Sequence, residues 1–147
     1  MPKFQGSGFA IEFPEQCIDA SVYTFAFPAM GNDSPYMTIR VEKRSEAPDL
    51  KALVNQEMEA LSDKVEAFQL ISQAVGKRSG ADGIMSICEW GEGPARVRQK
   101  LLLMLQCGET VHLYKLSAIS LAANQVATDP LFDQLFRSFT PNAIQLP

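Results

Sequence analysis

A single histidine, His112, stands in 147 residues. One histidine leaves no pair for a metal centre, and any Ser-His-Asp triad would have to use it. No serine occupies a G-x-S-x-G elbow. His112 alternates with Tyr114 and Leu116 along one strand pattern, which makes it a structural or surface histidine. Phosphate loops are lacking too. Neither Gly6-Ser-Gly8 nor the glycine-containing stretch 76–83 matches a nucleotide-binding signature. Glu89 and Glu92 could form an acid-base pair, but they fit a solvated strand end better. No enzyme activity, cofactor or metal is expected from this set.

Cysteines are three in number: Cys17, Cys88 and Cys107, widely spaced and in no paired motif. They read as small buried hydrophobes in a reducing compartment. Positive charge is short, with 13 Lys and Arg against 17 Asp and Glu, a net charge of -4. That balance argues against nucleic acid and against docking on an anionic membrane. No apolar run approaches the roughly 18 residues of a membrane span. The start MPKFQGSGFAIEF lacks the apolar core of a secretory signal. A cytoplasmic protein without membrane insertion is the expectation.

What the chain does contain is a long apolar hairpin. Ala95 to Ser120 reads as two strands around a turn at Gly108-Glu109-Thr110. Alternate side chains point to opposite faces. Leu101, Leu103 and Leu105 share one face, and Leu102 and Met104 the other. A strand apolar on both faces needs cover on both. One cover can come from the protein's own helices; the other is left open by the pattern.

The remaining elements follow in order. Residues 1–7 read as a loose start. Phe9 to Phe13 alternates as a short strand ended by Pro14, and Asp19 to Phe27 as a second with Tyr23 and Phe25 on its core face. Tyr36 to Lys43 is a third, with Met37, Ile39 and Val41 on one side. Asp49 is placed to cap a helix whose stripe is Leu50, Leu53, Val54, Met58, Leu61 and Val65. Phe68 to Val75 and Ile84 to Trp90 are strands, separated by a turn over 76–83. Leu121 to Ala127 connects to a closing helix opened by Thr128-Asp129-Pro130, with proline at the first helical position. Its stripe is Leu131, Phe132, Leu135, Phe136 and Phe139.

The prediction is one α+β domain over 1–147: an antiparallel sheet of about six to seven strands, order βββαββββα, with both helices on one face. Arg96, Arg98 and Lys100 share a strand face. They could grip an acidic partner or helix-terminal carbonyls, or guard a sheet edge by charge. Gln99 points the other way, suiting either an open groove or a wet strand end.

With these residues in place, the chain resembles the PsbP/DcrB-like domains, and more narrowly the Eag chaperones of bacterial type VI secretion. The carriers are the Phe9-x-Ile-x-Phe-Pro14 strand, Asp19-x-Ser-Val-x-x-Phe25, Trp90-Gly leading to Val-Arg-Gln99, and the closing Phe132-x-x-Leu-Phe-Arg-Ser-Phe139 helix. The resemblance spans roughly Phe9 to Phe139. It implies a homodimeric cytoplasmic chaperone that shields the N-terminal transmembrane helices of a PAAR-containing effector and aids loading on the VgrG spike. If the helices cover Tyr23, Phe25, Met37 and Ile39, the partner-binding groove consists of Val22, Thr24, Thr38, Arg40, Gln99, Leu101 and Leu103. A one-residue shift of register would substitute Leu102 and Met104. A non-catalytic adaptor for a folded protein surface is the alternative.

Overall fold

A computed structural model of the chain describes residues 3–6, 8–12, 22–28, 35–78 and 80–141. Phe13, Pro14, Cys17 and the residues 19–21 expected to open a strand lie outside the described residues. The element order is β1 (Lys3–Gly6), β2 (Phe9–Glu12), β3 (Val22–Ala26), β4 (Tyr36–Arg44), α1 (Leu50–Lys64), β5 (Gln69–Arg78), β6 (Ala81–Trp90), β7 (Val97–Cys107), β8 (Val111–Leu121) and α2 (Gln125–Ser138). The expected α+β order is present, with β1 as an extra short strand where a loose start was anticipated. β1 and β2 make a separate two-stranded sheet. The other six form one antiparallel sheet in the order β3-β4-β8-β7-β6-β5.

The hairpin β7–β8 lies at the centre of this sheet because its side chains are apolar on both faces. Its two covers are both internal. Val54 and Met58 of α1 pack with Ile84, Cys88, Leu101 and Leu103, and Leu50 and Leu53 with Leu105, Val111 and Leu113. Phe132 and Phe136 of α2 pack with Met37, Leu102, Met104, Tyr114 and Leu116. The helices therefore lie on opposite faces, which corrects the expectation that both share one. Short connections favour an antiparallel sheet but do not select a side for each helix. The odd-numbered and even-numbered leucines of β7 each need their own lid, and that requirement decides it.

Local signals set the helix ends. The Asp49 carboxylate accepts from the Lys51 and Ala52 amides at 3.1 and 3.3 Å, so it caps α1 as expected. α1 runs from the β7–β8 turn, where Leu50 meets Leu105, toward Gly91, whose amide donates to Glu66 O at 2.8 Å. α2 begins at Gln125, a full turn before Pro130, which stands inside the helix rather than at its first position. The buried Thr128 hydroxyl explains the early start: it donates to Asn124 O at 3.1 Å and lies 3.1 Å from Ser120 Oγ. The stretch 76–83 is mostly strand, since β5 runs to Arg78 and β6 starts at Ala81, and among its described residues only Gly80, at φ +79°, needs the left-handed region.

Six strands span about 24 Å across, at roughly 4.8 Å per gap. One helix with its side chains is only about 10–12 Å wide. A single helix on each face therefore covers about half of it. α1 sits over β6, β7 and the adjoining part of β8, and α2 over β7, β8 and β4. Strips at the sheet's sides stay bare.

Candidate functional site

The bare strip beside α1 is built from three strands in register. Val22, Arg40 and Lys115 form one row, Thr24, Thr38 and Ser117 the next, and Ala26, Tyr36 and Ile119 the third. Gln99 adjoins Ile119 across β7–β8. All these side chains point to the α1 face, so the expected grouping of Val22, Thr24, Thr38, Arg40 and Gln99 is found. Val22, Thr24 and Arg40 are exposed, and Thr38 and Gln99 half-buried. Leu101 and Leu103 point to the same face but are each only 2% exposed. They are core beneath α1, which removes them from the groove. Half-buried Ile119 and exposed Tyr36 take their place on the floor, with Ser117 buried beside them. Alternation along β8 sets Lys115, Ser117 and Ile119 on one face, a signal the sequence carried, but only strand order puts that face beside Thr38.

The strip changes character along its length. At one end Tyr36, Ile119 and Ala26 are apolar. In the middle three hydroxyls form a row, and the Gln99 amide donates to Ser117 Oγ at 2.7 Å. At the other end lies a small charged cavity of about 90 Å³ between β4 and α1, lined by Arg40, Glu42, Arg44, Leu53, Glu57 and Lys115 among others. There Lys115 Nζ donates to Glu57 at 2.8 Å, and Arg44 pairs with Glu42 at 3.1 Å. This surface can hold an elongated, mainly apolar segment and offer it small hydrogen-bonding groups.

The Arg96, Arg98 and Lys100 row lies on the other face and is already occupied. Arg96 Nε donates to Glu89 at 3.0 Å, and its Nη1 to the carbonyls of Gly91 at 2.7 Å and Ala67 at 3.2 Å. Arg98 donates to Glu89 at 2.7 Å and to both oxygens of Asp129 at 2.9 and 3.0 Å. Lys100 donates to Asp133 at 2.6 Å and lies 3.5 Å from Asp129. β7 is an interior strand, so neither a free acidic-partner site nor a charged sheet edge describes the row. It is a tie from β7 to β6 and α2. Burial works against the Arg98 charge, but the hydrogen bonds and charges of Asp129 and Glu89 outweigh it and raise its pKa. Glu89 is held by two arginines and is not paired with Glu92.

Other chemistry-bearing residues are accounted for structurally. His112 stacks on Tyr114, ring centroids 6.2 Å apart. Cys88 is buried, as expected; burial first, and the nearby Glu89 charge second, push its thiol up to about 11. Cys107 is exposed at the end of β7, contrary to expectation. Among the described residues no group of three His, Cys, Asp or Glu could hold a metal ion. Among the same residues no helix is long and apolar enough to cross a membrane.

The α2 face has bare areas as well. Tyr23 and Phe25, expected in the core, are 58% and 47% exposed because α2 stops short of β3. Only Phe27 reaches it, edge-on to Phe132 at 6.2 Å between centroids. At the opposite side a shallow apolar notch of about 220 Å³ is lined by Ala74, Gly83, Met85, Leu102, Met104 and Phe136 among others.

An α+β protein with a six-stranded antiparallel sheet between two single helices is the class this architecture defines. No protein family's sequence model matches the chain, and no curated protein matches it in sequence. Its fold is similar to that of PA94, a Pseudomonas aeruginosa protein of unknown function, with a TM-score of 0.71 at 15% identity over 95% of this chain and 96% of that one. It is also similar to LpqN of Mycobacterium tuberculosis, which is involved in cell envelope biogenesis, with a TM-score of 0.54 at 12% identity over 76% and 78% of the two chains. At such identities the likeness concerns the fold.

Proposed function

We propose that this chain is a non-catalytic, cytoplasmic chaperone of the Eag type, which shields N-terminal transmembrane helices of a type VI effector before its loading on the secretion spike. The observation that carries the reading is the bare strip between α1 and β3. Its three strands are about 10 Å across, the width of one helix. Its three strands run side by side over five residues each, with Val22–Ala26 paired to Tyr36–Arg40, about 17 Å or some three turns of a helix. The floor mixes Tyr36, Ile119 and Val22 with small polar groups from Thr24, Thr38 and half-buried Gln99. Small and hydroxyl side chains are the partners that apolar helices accept in a bilayer.

The homodimer belongs to the same reading. Phe9 and Ile11 of the β1–β2 pair and Tyr23 and Phe25 of edge strand β3 are all exposed. A lone two-stranded sheet is marginally stable in water, and a second copy would cover both elements. The same exposed aromatics favour, as a second reading, an adaptor that docks on a folded protein.

The test is co-expression with a polypeptide carrying N-terminal hydrophobic segments, followed by co-purification. A chaperone holds this client, and both Val22→Asp and Thr38→Arg release it while the variant stays folded. Capture unaffected by Val22→Asp and Thr38→Arg but abolished by Tyr23→Asp favours the adaptor. Failure to hold any such client refutes the chaperone.

A further inference from the structure

Among the described residues the charged end of the strip carries one cation more than the carboxylates around it balance. Among the described residues Arg40 makes no ion pair or hydrogen bond, and it is exposed. The carboxylates near it among the described residues are committed elsewhere. Glu42, two residues along the same strand, pairs with Arg44 at 3.1 Å. Glu57, across the small cavity on α1, takes Lys115 at 2.8 Å. Arg40 also stands directly opposite Lys115 in the β4–β8 ladder. Like charges directly opposite each other destabilise a sheet. A carboxylate arriving at this point would therefore meet two cations of which only one is compensated. In a chain of net charge -4, a local surplus of this sign is the less expected one.

We propose that Arg40 selects guests by a carboxylate that borders their apolar run, and so fixes which flank of the guest lies at the α1–β4 cavity. The inference rests on the guest-helix reading of the strip. The polarity of the strip makes the selection directional. The apolar run lies over Tyr36, Ile119 and the hydroxyl row, and its acidic flank reaches Val22 and Arg40 one or two rows further on. A basic flank at the same place would face Arg40 and Lys115 together.

The test uses the full chain and a fluorescent synthetic peptide of about 20 leucines and alanines, the length of a membrane span. It carries a polyethylene glycol tail at one end, with two Asp, two Asn or two Lys at the other. Binding is read by anisotropy in sub-micellar detergent at low and high salt. The Asp peptide binds about two- to five-fold more tightly than the Asn peptide at low salt, the range of an exposed ion pair, and the difference shrinks at high salt. Arg40→Ala removes the preference, and Arg40→Glu transfers it to the Lys peptide. Both variants keep the wild-type circular dichroism and melt no lower than the wild type, since Arg40 contributes no internal pair and its loss relieves the repulsion from Lys115. Equal binding of all three peptides, or an Asp preference that survives Arg40→Ala, overturns the role of Arg40 and leaves the guest-helix reading standing. Binding of none of the peptides overturns both.

Discussion

The tie between β7 and α2 predicts an asymmetry between its two ends. Lys100 carries the buried end: its side chain is 4% exposed, against 46% for Asp133 and 27% for Asp129. Replacing both aspartates by alanine leaves the Lys100 ammonium without a carboxylate in a water-poor site, while Arg98 keeps Glu89 at 2.7 Å. Removing the partner of a buried charge costs about 3–5 kcal/mol. Lys100→Met acts differently. The methionine lies beside its cross-strand neighbours Ile87 and Ala118, Asp133 returns to water, and Asp129 keeps Arg98 at 2.9 Å. That substitution costs under about 1 kcal/mol. Urea unfolding of the three proteins, followed by circular dichroism at neutral pH, gives the comparison. The difference persists at high salt, because the buried ammonium is screened little. A Lys100→Met protein less stable than the Asp129→Ala/Asp133→Ala protein refutes the reasoning.

Three further outcomes are expected. Phe132→Ala removes the ring that α2 sets against both Leu102 and Phe27; it lowers the unfolding free energy by about 3–5 kcal/mol in a denaturant titration. Leu103→Glu places a charge beneath α1 and prevents folding, whereas Thr38→Glu, on the bare strip, leaves circular dichroism and cooperativity intact. Mass-mapped thiol labelling of the native protein modifies Cys107 quickly and Cys88 slowly. The Cys88 thiol ionises near 9.0 when unfolded but near 11 when folded, so the unfolded state sheds its proton first. Stability from this group is intact below pH 9 and falls as pH rises from about 9 to 11; a Cys88→Ala protein that shows the same fall rules the thiol out as its source.

Most of the elements were legible in the residues themselves. Period-two alternation marked β4, a long apolar run around a turn marked β7 and β8, and period-3.6 stripes with Asp49 in capping position marked α1, because these patterns are local and the backbone geometry that reads them is fixed. Alternation put Val22 with Thr24 and Thr38 with Arg40, but joining them to Gln99 rested on an assumed helix-covered face, and only the strand order β3-β4-β8-β7 supplies that pairing. Misreadings arose where a distant contact outweighed a local signal. Proline suggested that α2 opens at Pro130, yet the buried Thr128–Ser120 contact holds the turn before it in helix. Glycines suggested a loop at 76–83, yet Gly83 packs under Leu102 and Met104 and continues the strand.

The sequence by itself determined that this chain makes a two-faced apolar hairpin and two amphipathic helices, since hydrophobic spacing is a property of neighbours along the chain. Only the tertiary structure decided how the two helices share the sheet. Each face of β7 demands its own cover, so α1 and α2 separate, and Leu101 and Leu103 pass from a supposed groove into the core. Strand order then places β3 and the near face of β4 beyond the reach of α1, a helix about 10–12 Å wide, and leaves Thr24 exposed and Thr38 half-buried beside the buried Ser117. The same arrangement neutralises the Arg98 and Lys100 charges with Asp129 and Asp133, some thirty residues distant. No local pattern encodes that pairing, because it depends on which face α2 occupies.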